Sequence, residues 1–406
     1  MEDRDHKKLG KRLGLFTFSH DVGKGLPLFT AKGAAMRRAI ETFIIDEEIR
    51  RGYQHVRTPD IAKLDLYKKS GHYPHYKDSM YAPIKIDDEE FMLRPMTCPH
   101  HFELYLSKPH SYRELPMRIA ELAGLYRYEQ SGELMGLQRV RTFCLADAHI
   151  ICKDEEQAIE EIGGALDLIE YIAGVFGLEM GKDYWYRLSL GDRNNTEKYY
   201  DNPDAWEKSE DLMRELMHKR GSKFVEAGDE AAFYGPKIDV QMKNSNGKED
   251  TAFTVQYDFC MPDRFNLTYI SEDGSPKRAF VVHRSSVGAI ERIMAFLIEH
   301  YAGSFPTWLA PEQVRILSVS ETHAAYAKEV HQKLKDAKVR AEIDISNTAL
   351  GKKIHRASED LLPYTIVIGD EEMSHSTITV ESRDEGALGS MRIEDFVSRI
   401  RAEEKH

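Results

Sequence analysis

Arg127-Tyr128-Glu129, the turn-permitting glycines Gly132 and Gly136, and then Gly136-Leu137-Gln138-Arg139-Val140-Arg141-Thr142-Phe143 decide how this chain is read. Strand-like runs at 117–121 and 141–150 flank the segment, which therefore reads as two strands joined by the loop 130–138. That hairpin would set Arg127 and Arg139 or Arg141 on one sheet face, with Phe143 offering a flat surface. Much further along, Gly288-Ala289-Ile290-Glu291-Arg292 opens a helix and carries another arginine. Arginines fixed on rigid elements can hold a triphosphate and a departing pyrophosphate through bidentate hydrogen bonds, without a Gly-rich phosphate loop. The residues alone leave a second reading open, a solvated basic hairpin with Phe143 in the core and Arg292 paired with Glu291 or Glu299.

Outward from this segment, the chain has the size and composition of a globular protein. Its 406 residues are 41% hydrophobic and 31% charged, enough for two or three domains with a full core. No stretch approaches the roughly 20 consecutive apolar residues of a membrane span. The start, Met-Glu-Asp-Arg-Asp-His-Lys-Lys, lacks the apolar stretch of a signal peptide, so the expected location is cytoplasmic. Cys98, Cys144, Cys152 and Cys260 show no paired spacing, which argues against a disulfide framework. A net charge of −12 argues against general electrostatic attraction to nucleic acid; an RNA partner would need local basic patches and shape.

Three regions are expected: an N-terminal arm over 1–32, a catalytic domain over 33–308 and a small α/β domain over 309–406. The pattern predicts a helix over 33–51, a strand from Tyr53 to Pro59 and further strands at 91–94, 117–121 and 141–150. A long helix at 154–176 follows, then strands at 184–190, 237–242, 251–259, 265–270 and 279–283, the last feeding a helix from about 287. Strands interrupted by long helices indicate an α+β domain with a mainly antiparallel sheet flanked by helices. Beyond Pro306 and Pro311 come strand 314–320, helix 322–337, strand 339–345, helix 349–361, strands 364–369 and 376–382, and helix 392–403. This is the pattern of a mixed, partly parallel sheet.

Cys98, His149 and His283 lie in Met96-Thr97-Cys98-Pro99, Asp147-Ala148-His149 and Val281-Val282-His283, at expected strand edges or turns. Their spacing is not that of a zinc finger, and taken alone it favours chance scatter. If they converge, three ligands with an open fourth position are the pattern of a catalytic or substrate-binding zinc site. Such a site can bind an amine and a hydroxyl together and reject an isostere lacking the hydroxyl. His72, in Ser70-Gly71-His72-Tyr73, and the turn Phe233-Tyr234-Gly235-Pro236-Lys237 complete the candidates. A loop histidine acting as a base needs a pKa near neutrality.

With these motifs in order, together with Val255-Gln256, Val282-His283-Arg284 and Phe305-Pro306-Thr307-Trp308-Leu309-Ala310-Pro311, the chain resembles the threonyl-tRNA synthetase family of class II aminoacyl-tRNA synthetases. The likeness covers nearly the whole chain. Helix 33–51 and the following strand resemble class II motif 1, which builds a dimer interface, 127–143 resembles motif 2 and 283–301 motif 3. The resemblance implies ATP-dependent activation of threonine to threonyl-adenylate and transfer to tRNA(Thr), by a homodimer. It implies one Zn2+ on Cys98, His149 and His283, and Mg2+ with ATP. Asp147, Tyr234, Gln256 and Lys237 would line the amino-acid pocket. Arg127, Glu129, Arg139, Phe143, Thr254 and Arg292 would hold ATP, and His72 would assist acyl transfer. Asn347 and Glu372 would contact the anticodon.

The chain departs from the family at several positions. Leu145 stands where many relatives have Gln. Glu381 and His355 replace arginines in the C-terminal domain, which carries 14 Lys and Arg against 18 Asp and Glu over 310–406. The N-terminal editing modules usual in the family are expected to be absent, so that seryl product would not be cleared in cis. Two alternatives are a class II synthetase for another amino acid, such as proline, and a non-catalytic paralogue that binds RNA. The Cys/His/His set weighs against the first and the retained arginines against the second.

Overall fold

The computed structural model of the chain describes residues 4–244 and 247–404. The described residues form two compact units, one within 18–27, 41–244 and 247–296, the other within 4–17, 28–40 and 297–404.

Among the described residues, the first unit is built on an eight-stranded sheet. The strands run in the order Phe224–Ala227, Tyr184–Ser189, Lys237–Lys243, Glu249–Asp258, Phe280–Ala289, Thr142–Cys152, Met117–Tyr126, Gln54–His55. Every pairing is antiparallel except the two outermost. The helix Glu155–Val175 packs against this sheet. Asp154 caps its start by accepting from the Gln157 amide, and Ile162, Leu166, Ile169 and Ile172, spaced for one helical face, are all buried. The expected α+β domain with an antiparallel sheet is therefore what forms.

Three local expectations need correction. The strand from Tyr53 to Pro59 shrinks to Gln54–His55, because the Thr58 amide and hydroxyl bond to the Glu121 carboxylate, at 3.1 and 2.7 Å, rather than to a neighbouring strand. The run 265–270 divides into a helical turn, Met261–Phe265, and a short strand, Thr268–Ile270. The strand expected at 279–283 continues to Ala289, and the helix Ile290–Tyr301 starts only there. Gly288 makes this possible: its φ is +65°, and a Cβ there would lie 1.9 Å from the Ala252 carbonyl oxygen.

Glu48 ties the helix Ala31–Arg50 to the back of the sheet. Its carboxylate, 1% exposed, accepts from Arg284 at 2.6 Å and from Ser286 at 2.7 Å, and Arg284 lies 4.1 Å over the Tyr53 ring. Burial pushes the Glu48 carboxyl up, but the Arg284 charge and its hydrogen bonds outweigh this and hold it below the usual range. Glu48→Gln leaves a buried guanidinium without its counter-charge and is expected to cost about 3–5 kcal/mol. With the folded pKa depressed, this stability is present above the unfolded carboxyl pKa and is lost as pH falls through the folded value. Urea titrations at neutral and acid pH should show the variant weaker at neutral pH and the gap closing in acid.

In the second unit, five strands lie in the order Ala341–Asp344, Val314–Ser318, Tyr364–Ile368, Ile378–Ser382, Gly386–Met391. The first three are mutually parallel and the rest antiparallel, giving the expected mixed sheet. Ile316, Ile366, Val380 and Phe396 lie in its core. The helix Asp370–His375 and the strand Gly386–Met391 were not expected from the sequence. The strand's Gly386, Gly389, Ser390 and Glu385 neighbourhood has little apolar alternation to announce it. Among the described residues, no helix is long and apolar enough to cross a membrane.

Candidate functional site

Alternation along neighbouring strands brings the candidate residues of the first unit onto one sheet face. His149 pairs with His283, His283 with Gln256, Ser285 with Thr254, and Asp147 with Glu121. The two histidines thus sit within adjacent strands, not at strand edges as expected. Cys98 opens the helix Cys98–Tyr105, with Pro99 in its first turn. The thiol and one nitrogen of each imidazole lie within 4.8 Å of one another, and all three residues are buried.

This donor set fits zinc. His149 Nδ1 is 2.8 Å from His101 Nδ1, and His283 Nε2 is 2.6 Å from Asp258 Oδ2, so each ring has one nitrogen engaged and its other available to an ion. Burial, with the neighbouring imidazoles, keeps His149 neutral, the form that ligates. Burial and the carboxylates of Asp147 and Asp258 push the Cys98 thiol up, so binding a metal there releases a proton. A thiolate and two imidazoles leave a tetrahedral fourth position open.

The same three residues line a cavity of about 680 Å³ whose wall also holds Arg127, Glu129, Arg139, Phe143, Asp147, Tyr234, Lys237, Thr254, Gln256 and Arg292. Leu145 is in this wall as well. Arg127 Nε donates to the Pro95 carbonyl at 3.3 Å, and its guanidinium lies 5.1 Å over the Phe143 ring. Arg139 is held by Glu129 at 2.7 Å and Glu133 at 3.3 Å. Arg292 donates to the carbonyls of Gln138 at 3.0 Å and Thr251 at 2.6 Å, which fixes its head. The Tyr234 hydroxyl donates to Gln256 Oε1, and Lys237 pairs with Asp239 at 3.0 Å. Burial pushes the Asp147 carboxyl up against the opposing pull of His101 and His283.

The strands of the expected hairpin end at Tyr126 and begin again at Thr142, so Arg127, Arg139 and Arg141 lie in the connection rather than on strands. Arg127 and Arg141 still pair through the Arg127 amide and Arg141 carbonyl at 3.0 Å. Arg141 turns to the carbonyls of Glu129 and Lys24 and is not part of the cavity wall. An adjoining cavity of about 510 Å³ holds Arg127, Glu129, Arg139, Lys248, Asp250 and Arg292. Lys248 and Asp250 escaped the sequence reading because nothing in Gly247-Lys248-Glu249-Asp250 differs from an exposed charged turn.

His72 is wholly buried and stands behind Cys98, its Nε2 3.7 Å from the sulfur and its Nδ1 2.8 Å from Ser70 Oγ; it is not in the cavity wall. Burial, with the charges of His283 and Arg264, lowers its pKa to about 3, well under the near-neutral value a loop base would need. In the second unit, Asn347 is exposed after the strand Ala341–Asp344. Glu372 is half-buried, its carboxylate accepting from the Gly369 amide at 2.8 Å and Thr379 Oγ at 2.6 Å. Glu381 is exposed, and His355 sits 3.4 Å from Glu359 on an exposed helix face.

Residues 81–301 match the family of the tRNA synthetase class II core domain (G, H, P, S and T), and residues 313–403 match the anticodon binding domain. The chain is 49% identical over 403 residues to a threonine–tRNA ligase of Geobacillus sp. (strain WCH70), covering 99% of this chain and 62% of that protein. It is 48% identical over 399 residues to a threonine–tRNA ligase of Clostridium perfringens (strain SM101 / Type A), covering 98% and 62% respectively. The chain thus spans 62% of the length of these curated relatives. A crystal structure of the RNA binding domain of threonyl-tRNA synthetase from Cryptosporidium parvum Iowa II superposes with a TM-score of 0.92, at 33% identity and over 98% of both chains.

Proposed function

The chain belongs to the threonyl-tRNA synthetase family of class II tRNA synthetases, and from that premise we propose that it activates threonine with ATP and transfers it to tRNA(Thr). The observation that carries this reading is the convergence of Cys98, His149 and His283 in the wall of the cavity that also holds Arg127 and Arg292. A zinc ion on the three ligands would supply a Lewis-acid position that the amine and β-hydroxyl of threonine can share.

The chain's own side chains do the rest. Asp147, with Tyr234 and Gln256 linked by a hydrogen bond, orients the polar groups of the amino acid, and Lys237 flanks them. Arg127 neutralises the α-phosphate while a substrate carboxylate oxygen attacks it in line. The bond to the β-phosphate breaks, and pyrophosphate departs between Arg139 and Arg292. Phe143, Glu129 and Thr254 hold the nucleoside, with Mg2+ accompanying ATP. His72 reaches a substrate only if the Cys98 side of the cavity rearranges around the tRNA terminus. In this reading 33–308 is the catalytic domain and 309–406 reads the anticodon through Asn347 and Glu372. The working form is a cytoplasmic homodimer joined through the helix Ala31–Arg50, whose Ile49 is 54% exposed.

ATP–pyrophosphate exchange with threonine, serine, valine and proline tests the reading. Threonine is expected to be fastest. Serine lacks only a methyl, worth about 1–3 kcal/mol, so its kcat/KM should be about 10–200-fold lower. Valine lacks the hydroxyl and should fall by about 10⁴-fold or more. Exchange fastest with proline, or equal for threonine and valine, would refute hydroxyl recognition by these residues.

A further inference from the structure

Of the two histidines among the proposed ligands, one is backed by a carboxylate directly and the other through a second imidazole. His283 Nε2 meets Asp258 at 2.6 Å, and Asp258 is anchored by the Cys260 and Met261 amides, both at 2.9 Å. His149 instead meets His101, and His101 Nε2 lies 3.3 Å from Glu121 Oε2. His149, His101 and Glu121 are each at most 1% exposed. Glu121 is fixed in turn by Thr58 and by Arg94, whose guanidinium donates to Thr58 Oγ1 at 2.7 Å and approaches Glu121 at 3.3 Å.

We infer that His101 and Glu121 are positioning residues that fix the tautomer and aim of His149 at the zinc site. The proton placement follows from the geometry. If His149 ligates through Nε2, its neutral ring carries hydrogen on Nδ1 and donates to His101 Nδ1. His101 must then carry its hydrogen on Nε2, which faces the Glu121 acceptor. Each ring has one donor and one acceptor, so the chain from Glu121 inward permits one arrangement. Cys98 and His101 are three residues apart on the helix Cys98–Tyr105, so they lie on one face. A single helix thus sets both the thiol ligand and the tether of the facing histidine. Burial pushes the Glu121 carboxyl up, but the bonds from His101 and Thr58 and the Arg94 charge win, leaving it at about 2 and ready to accept.

This inference rests on the zinc reading, and the test separates the two. Wild type, H101F, H101Q and C98S are compared by chelator-competition zinc affinity, the visible spectrum of the Co2+ form, and KM for threonine and for ATP. H101F is expected to bind zinc about 10–100-fold more weakly, with an altered Co2+ spectrum and a raised KM for threonine but not for ATP. H101Q, whose amide can accept from His149 and donate to Glu121, should stay within a few-fold of wild type. If H101F does not fold, H101N, polar but too short to bridge, takes its place with the same expectation. Wild-type zinc affinity and threonine KM in H101F, or H101Q as impaired as H101F, would overturn the positioning role while leaving the zinc site intact. Wild type that binds no zinc, or C98S that binds it equally well, would instead overturn the zinc reading.

Discussion

Arg127→Ala is expected to lower kcat/KM for threonine-dependent ATP–pyrophosphate exchange by about 10³-fold, or about 4 kcal/mol of transition-state stabilisation. Charge builds on the α-phosphate oxygens as the carboxylate attacks, inside a cavity where a fixed guanidinium needs no reorganisation to meet it. Arg127 suits this because its position is set by the Pro95 carbonyl and the Phe143 ring, and among the described residues it forms no ion pair. Its removal therefore strands no buried carboxylate, and thermal unfolding should stay near that of wild type, in contrast with Glu48→Gln. Lysine at the same position should recover only part of the rate, since a point charge lacks the bidentate fork. A variant with unchanged exchange would show that the arginine serves the loop and not the reaction.

Cys98→Ala is expected to have an effect as large on a different axis. Two imidazoles on neighbouring strands remain, but the soft anionic donor is lost and zinc should no longer be retained through dialysis. Threonine then has only ordinary polar contacts, with Asp147 and the Tyr234–Gln256 pair, to hold it. Exchange with threonine should fall by about 10⁴-fold, and its advantage over valine, which depends on the hydroxyl, should collapse. Both quantities are read in the same exchange assay with metal content measured alongside. Activity that persists with threonine still preferred would place recognition elsewhere in the cavity, at Asp147 or the Tyr234–Gln256 pair.

The main elements were legible because their patterns are local. Apolar periodicity announced the helix Glu155–Val175 to within a residue or so, and strand alternation announced Thr142–Cys152 and Lys237–Lys243. Errors came where a long-range contact overrode local pattern: Glu121 took the Thr58 amide out of a strand, and Gly288 let a strand run past its expected end. The proposed ligands Cys98, His149 and His283 could be named as metal-type residues but not brought together by spacing, since their meeting depends on strand register. His101 was the residue most open to discovery, one helical turn after Cys98. Its partner Glu121 was hidden, because a charged residue in a short strand reads as a solvent-facing position. The burial of His72 also lay beyond the sequence, in which a glycine-flanked histidine reads as an exposed loop residue.

Threonine recognition, as proposed, depends on one ion held by one sulfur and two imidazoles, with room left for the amino acid. X-ray absorption at the zinc edge, on the full chain loaded with one equivalent of metal, reads this directly. The expected inner shell is one sulfur at about 2.3 Å and two nitrogens at about 2.0–2.1 Å, gaining more light-atom scattering with threonine, which offers amine and hydroxyl, than with valine, which offers the amine alone. A shell without sulfur, or one that threonine leaves unchanged, would contradict it.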